Sequence, residues 1–487
     1  MGPASTPGCS TPLTSYYLEY KQYLNALSNI NNFMKSSLLI LFLIIASSHC
    51  AYADGMLLIY PYMDDWVLAK ENQQFAAINY ENGIQKMILA IDAELRGKKA
   101  VWIFPVPANP EDIAIDVIKG FPMFRGYEVK IEANEKIRET FSIMRLSQLY
   151  TIPFIFFKQY EPIPLIGDVF YKVYPTKALE DVTVYEHIEK MGLTAELIGA
   201  KSGDSLYNYL INKSLNLPED SKAILNEYVG KDYSFVVSWI SDVEKFLEES
   251  EVRDRYGRIK NIIGISISFP TDKIYFPLKP TSVYGSTRIP ILIYVVGYVM
   301  PDFYPKILNY TKVNYIIQSY YYTPYELAFF FNEKTEIKNL RYTRIKIEAP
   351  SKYFNEDLWI KDSSPLDILL VDFIITSALI WGIIFFVLSS CLASILSGMI
   401  IFRKEQISKK KFALLGLSNF LTIIGFLIAT IFLKTKRLDP KLEKRLKSEG
   451  IIIWDYRKIL FIILFTILFL VITFLFQIIL SVFIGSI

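Results

Sequence analysis

Residues 366–402 form an apolar run broken only by Asp367 and Asp372, and this run limits what the rest of the chain can be. A helix rises about 1.5 Å per residue and needs only about 20 apolar residues to cross hydrocarbon. Two more apolar stretches follow, 412–433 and 459–484, the last without a charge. The segments between them are short and basic. Residues 403–411 carry five positive charges and one negative, and residues 434–458 carry nine and four. The spacing predicts an α-helical membrane region over 366–487, with about three hydrophobic helices.

Charge placement sets two topologies against each other. If the preceding domain is outside the cell, residues 403–411 are inside, as the positive-inside rule prefers. Three simple crossings, the first expectation, then put the more basic linker outside. A re-entrant hairpin over 412–433, helped by Gly416, Asn419 and Gly425, would put both linkers inside. In the second linker Asp439 and Pro440 suit a helix start and Gly450 a stop. Leu442 and Leu446 share one side of that short helix, as suits a membrane surface.

The N-terminus carries a different signal. Residues 1–33 have little pattern and read as a gene-model extension or disordered segment. Met34 is followed by Lys35, the apolar stretch 38–45 and Ala51-Tyr52-Ala53, the plan of a secretory signal peptide over 34–53. An uncleaved signal anchor is the alternative, and the mature chain is expected to begin near Asp54. Residues 54–365 hold 36 Lys+Arg and 41 Asp+Glu, a net of −5, although the whole chain is +3. A domain of that charge is not built for nucleic acid, which needs a basic patch. Cys9, Cys50 and Cys391 all lie outside 54–365, so no internal disulfide or thiolate zinc site is expected there.

Within 54–365 the pattern alternates between strand and helix. Residues 75–80 and 86–91 flank Glu81-Asn82-Gly83, a hairpin signal in which Asn and Gly supply positive φ. Residues 101–107 read as a strand whose Pro105 and Pro107 mark an end or an edge. Residues 133–149 have helical spacing, with Ile137, Phe141 and Met144 on one face. Pro162, Pro164 and Pro175 then suit a subdomain boundary. Strands are expected at 56–60, 182–185, 195–199, 233–239, 263–269, 274–276, 290–299 and 342–347. Helices are expected at 205–215 and 221–229, with a third capped by Asp242; residues 254–260 read as a solvated loop. This irregular order predicts an α+β extracytoplasmic domain.

Ala100-Val101-Trp102-Ile103-Phe104-Pro105-Val106-Pro107, Val184-Tyr185-Glu186 and the segment 204–218 carry a resemblance. Tyr228-Val229, Phe235-Val236 and Tyr275-Phe276-Pro277-Leu278 continue it in order. Together they resemble the domain of unknown function 2330 family over residues 54–299. The resemblance implies a signal peptide, an extracytoplasmic domain and a C-terminal membrane segment. It implies no catalytic residue, and this chain lacks the cysteines that some members carry after the signal peptide.

Residues 294–331 are unusually aromatic. Tyr320, Tyr321, Tyr322 and Tyr325 are the candidate binding surface, set against aromatic strands packed in a core. Asn212 and Asn309 open N-glycosylation sequons. His187 is the only histidine in 54–365, so a histidine-dependent mechanism would have to use it. Asp64-Asp65 and Glu111-Asp112 lack an EF-hand frame, and no Walker loop or dinucleotide fingerprint appears. No catalytic residue, cofactor or metal is assigned. The sequence supports a cell-membrane protein whose partners are the membrane and an envelope protein or surface polymer. The alternatives are a carboxylate-dependent hydrolase and a subunit of a membrane transport assembly.

Overall fold

Asn82 and Gly83 reverse the chain with φ of 54° and 78°, joining β3 (Glu71–Glu81) to β4 (Ile84–Ala93). The turn expected from Glu81-Asn82-Gly83 is therefore present. The computed structural model describes residues 56–60, 67–68, 71–93, 99–148, 182–213, 219–250, 263–405, 407–435, 448 and 455–486. The signal peptide and its N-terminal extension, the proline-marked boundary, the loop 254–260 and, apart from Ser448, the linker helix 439–450 lie outside these residues.

Two sheets make the body of the N-terminal region. The smaller has the order β2-β1-β5-β10-β9-β8: β1 (Met56–Tyr60), β2 (Val67–Leu68), β5 (Lys99–Val106), β8 (Val182–Lys190), β9 (Leu193–Ala200) and β10 (Ser234–Ile240). The larger joins β3 and β4 to β6 (Ala114–Lys119), β7 (Tyr127–Glu128), β11 (Ile263–Pro270), β13 (Ile291–Val296), β15 (Thr311–Tyr322) and β16 (Glu336–Ile347). Period-2 alternation gives each sheet two apolar faces. Ile78, Met87, Ile267 and Ile293 of the larger sheet share one core with Phe104, Val106, Leu197 and Val236 of the smaller. Fully burying each such side chain contributes about 1.5–3 kcal/mol.

The outer faces are covered too. Ile103, Ile198 and Phe235 pack under Leu206 and Leu210 of α2 (Gly203–Asn212) and Leu225 of α3 (Glu219–Asn226). Ile88, Ile118 and Tyr342 pack under Leu327, Phe330 and Phe331. Of the two readings of Pro105 and Pro107, an end or an edge, β5 shows the end: it stops at Val106 and pairs with both β1 and β10. Among the described residues its ladder with β1 stops at Ile103, so Pro105 faces a partner only on the β10 side. Asp242 accepts from the Lys245 amide at 3.0 Å and caps α4 (Val243–Ser250), as expected.

The helix expected near 133–149 is α1 (Val129–Leu146). Val129, Ala133, Ile137, Phe141 and Met144 share a core with the C-terminal apolar helices. The Phe141 ring lies 5.8 Å from Trp381 and 5.7 Å from Phe385, and Arg145 Nη1 donates to Gln477 Oε1 at 2.8 Å. Tyr298, just after β13, and Tyr315 of β15 pack into the same cluster, so sheet region and helical bundle are joined through α1.

The apolar run 366–402 is two helices rather than one, which corrects the sequence expectation. α5 (Leu366–Thr376) ends at Ser377, whose φ of −101° and ψ of 19° break the path before α6 (Ala378–Ile401). Asp372 explains where α5 belongs. It accepts from Arg341 Nε at 3.0 and 3.1 Å and from the Tyr298 hydroxyl at 3.2 Å, so α5 is held by β16 and the residues after β13.

Among the described residues, three helical stretches are long and apolar enough to cross a membrane: Ala378–Ile401, Lys409–Ile431 and Tyr456–Ser486. The middle one is not a single rod. α7 (Lys409–Leu417) passes into a 3-10 turn at Ser418–Leu421 and then, at Thr422 with φ of 69°, into α8 (Thr422–Ile431). α9 (Tyr456–Ser486) runs antiparallel to α6. Phe461 meets Phe402 at 5.6 Å, Phe469 meets Phe386 at 5.5 Å and Phe476 meets Phe385 at 5.0 Å.

Candidate functional site

β15 and β16 form a long antiparallel pair that carries Tyr320, Tyr321 and Tyr322, and Tyr325 opens the 3-10 turn after it. Tyr320, Tyr322 and Tyr325 are 57%, 70% and 93% exposed, whereas Tyr321 is 3% exposed. Simple alternation from Ile316 would turn Tyr320 inward, because both positions share a strand face. The pairing lapses between Ser319 and the left-handed Asn339, whose φ is 53°, and resumes in the same register. Beyond it Tyr321, not Tyr320, enters the outer core, with its ring 4.8 Å from Phe331. That corrects its place in the expected surface. Tyr320, Tyr322 and Tyr325 remain, beside exposed Lys338 and Glu336, their cross-strand neighbours at Tyr320 and Tyr322. Asn212 and Asn309 are both exposed, at the end of α2 and before β15.

A second constellation escaped the sequence reading. Glu196 is buried in β9 on the face covered by α2 and lies directly across from His187 of β8. His187 Nδ1 stands 2.8 Å from Glu196 Oε1, Lys213 Nζ donates to the same oxygen at 2.8 Å, and the Tyr209 hydroxyl donates to Oε2. Burial alone would raise the Glu196 carboxyl. The hydrogen bonds from Lys213, Tyr209 and His187, with the Lys213 charge, outweigh burial and hold it below the usual carboxylate range. The Lys213 ammonium also lies 5.1 Å from the Trp239 ring. Three donors occupy the carboxylate, and the other ring nitrogen of His187 faces Glu189 Oε1 at 3.3 Å rather than a hydroxyl. This is the geometry of an ionic clasp between α2 and the sheet edge, not of a nucleophile and its base. The signal in the sequence is the lone acid in Leu193-Thr194-Ala195-Glu196-Leu197-Ile198, since a charge in a strand covered on both sides requires partners.

Asp357 makes a third cluster. It accepts from Tyr228 at 3.0 Å, from Tyr275 at 3.1 Å and from the Lys279 amide at 2.9 Å. Burial pushes its carboxyl up to about 6, and the same burial, with the Asp357 charge, raises the Tyr228 and Tyr275 hydroxyls. A raised carboxyl stabilises the fold fully below its unfolded value near 3.8, and that contribution is lost as pH rises through about 6. The difference corresponds to roughly 3 kcal/mol. Asp357→Asn is expected to flatten this part of the stability profile. Denaturant unfolding in detergent at pH 4.5 and 7.5 checks it, and equal pH dependence in wild type and variant would contradict it.

Among the described residues, no group of three or more His, Cys, Asp or Glu is placed to hold a metal ion. No family model matches the chain, and no curated protein does. Among solved structures, the crystal structure of baculovirus P35 is similar at a TM-score of 0.24 and 10% identity, covering 63% of this chain and 100% of that one. A likeness that low carries no argument about fold or function.

Proposed function

We propose that this chain is a membrane-anchored extracytoplasmic protein that binds or scaffolds another envelope component, a protein or a surface polymer. The observation that carries the proposal is the exposed trio of Tyr320 and Tyr322 on the larger sheet and Tyr325 in the turn that follows, on a body joined to the apolar bundle. Exposed tyrosines offer large contact area at low conformational cost and recur as the residues on which interfaces depend. Mounting the sheet on α1 and α5 would present that surface at a fixed orientation to the membrane. The resemblance to the domain of unknown function 2330 family agrees with the location and leaves the partner open.

The test is co-sedimentation of the detergent-solubilised full chain with isolated surface polymer and with envelope protein fractions. Replacing Tyr320, Tyr322 and Tyr325 together by Ala is expected to weaken binding by at least about tenfold. His187→Ala is expected to leave it unchanged. Loss confined to the His187 variant would overturn the proposal. The folded-back pair α7–α8 favours a second reading, a subunit of a membrane transport assembly, because broken helices within a bilayer commonly line a path or site.

A further inference from the structure

We infer that residues 366–487 cross the bilayer twice rather than three times, that Lys409–Ile431 enters and leaves by one face, and that the basic residues of 403–411 together with Lys434 form a single collar for anionic phospholipid headgroups. The inference rests on the C-terminal region being in a membrane. It deepens the proposed function by fixing topology and lipid partner.

The first limb can be followed against α6. The Phe412 ring fills the space beside Gly398, the Ser394 hydroxyl donates to the Phe412 carbonyl at 2.7 Å, and Asn419 Nδ2 donates to Ser390 Oγ at 3.0 Å. A Cβ on Gly416 would stand 2.6 Å from the Ser390 carbonyl oxygen, so the helices touch through backbone there. Contact with α6 thus advances from Gly398 to Ser390. From Phe402 to Ser390 a helix rises roughly 18 Å, against a hydrocarbon core of about 30 Å. The tip reaches midway.

The second limb returns. Phe426 stacks on Phe465 at 3.7 Å and on Phe461 at 5.6 Å, while Phe412 and Phe402 meet the same Phe461 at 5.9 and 5.6 Å. Both limbs therefore share the level of the end of α6 and the beginning of α9. Lys458 Nζ donates to the Ile431 carbonyl at 2.7 Å, and Thr435 donates to Asp455 at 2.8 Å. Arg457 pairs with Glu405 at 2.6 Å and with Asp455 at 3.0 Å, tying the first linker to the second. A full crossing would separate these partners by the thickness of the bilayer. Thr422, where φ turns positive, is itself buried, as irregular backbone at membrane depth requires, while Phe420 and Leu421 before it are exposed.

Folding back also removes the charge conflict. Residues 403–411 carry +4, and Lys434, Asp455, Arg457 and Lys458 at the two ends of the second linker add +2 on the same face. Arg403, Lys404, Lys409, Lys410, Lys411 and Lys434 are exposed at that end. Such a collar attracts the anionic leaflet.

The experiment uses the full chain in cells, with Cys9, Cys50 and Cys391 replaced by Ser. Single cysteines are introduced by Ser408→Cys, Lys434→Cys or Ser486→Cys and labelled with a membrane-impermeant maleimide before and after permeabilisation. The expected result is that Ser408→Cys and Lys434→Cys label only after permeabilisation and Ser486→Cys labels before it. Ser408→Cys and Lys434→Cys on opposite faces would overturn the inference and leave the membrane anchor intact. Reversal of all three would overturn the extracytoplasmic proposal and support the fold-back. Release of the protein by alkaline carbonate would overturn both. For the collar, native mass spectrometry of the purified chain should show phosphatidylglycerol retained over phosphatidylcholine. Replacing Lys409, Lys410 and Lys411 together by Gln should lower that preference by about tenfold or more. An unchanged preference, or displacement of the lipid by inorganic phosphate alone, would overturn the lipid assignment.

Discussion

Phe141→Ala is expected to cost about 3–5 kcal/mol and to loosen the sheet region from the apolar bundle. The ring is fully buried, with Trp381 and Phe385 less than 6 Å away, so truncation leaves a cavity that two other large rings cannot easily fill. A loss of this size approaches the whole margin of a domain whose stability is about 5–15 kcal/mol. Phe141→Leu keeps most of the volume and should cost less than about 1.5 kcal/mol. Tyr325→Ala, at a nearly free side chain, should melt with the wild type. Thermal unfolding in one detergent compares the four proteins. Equal midpoints for Phe141→Ala and wild type would show that α1 does not carry the junction.

Local pattern carried much of the strand and helix assignment. Asn82-Gly83 specifies its turn because positive φ is cheap at both residues, and the strands at 263–269 and 342–347 alternate in sequence, although Gly264 to Ile267 are buried on both faces. The amphipathic face of α1 was equally legible in Ile137, Phe141 and Met144. Its partner was not. A helical stripe records that something apolar covers it, and bundle side chains more than 200 residues away satisfy that as well as a sheet would.

The same limit applies to the break at Ser377. Both halves of 366–402 are apolar, and the useful signal, Asp372, acquires meaning only through Arg341 and Tyr298. Tyr321 was placed on the surface with its neighbours because a run of tyrosines does not say which of them the sheet buries. The Glu196 clasp was legible as an isolated acid in an apolar strand, but its partners come from β8 and from the end of α2. In the membrane region, by contrast, charge balance together with Gly416, Asn419 and Gly425 already held the folded-back hairpin as an alternative.

The central claim is that the sheet region and the apolar bundle form one body through α1. A Cβ built on Gly382 stands 2.9 Å from Thr140 Cγ2, across the seam between α1 and α6. In a disulfide the Cβ of one cysteine lies about 3 Å from the sulfur of the other. Thr140→Cys with Gly382→Cys, in a chain whose Cys9, Cys50 and Cys391 are replaced by Ser, is therefore expected to cross-link under mild oxidation in native membranes. After protease cleavage between the two positions, the fragments should migrate together without reductant and separate with it. Fragments that separate under both conditions, with both thiols still free to react, would contradict the account.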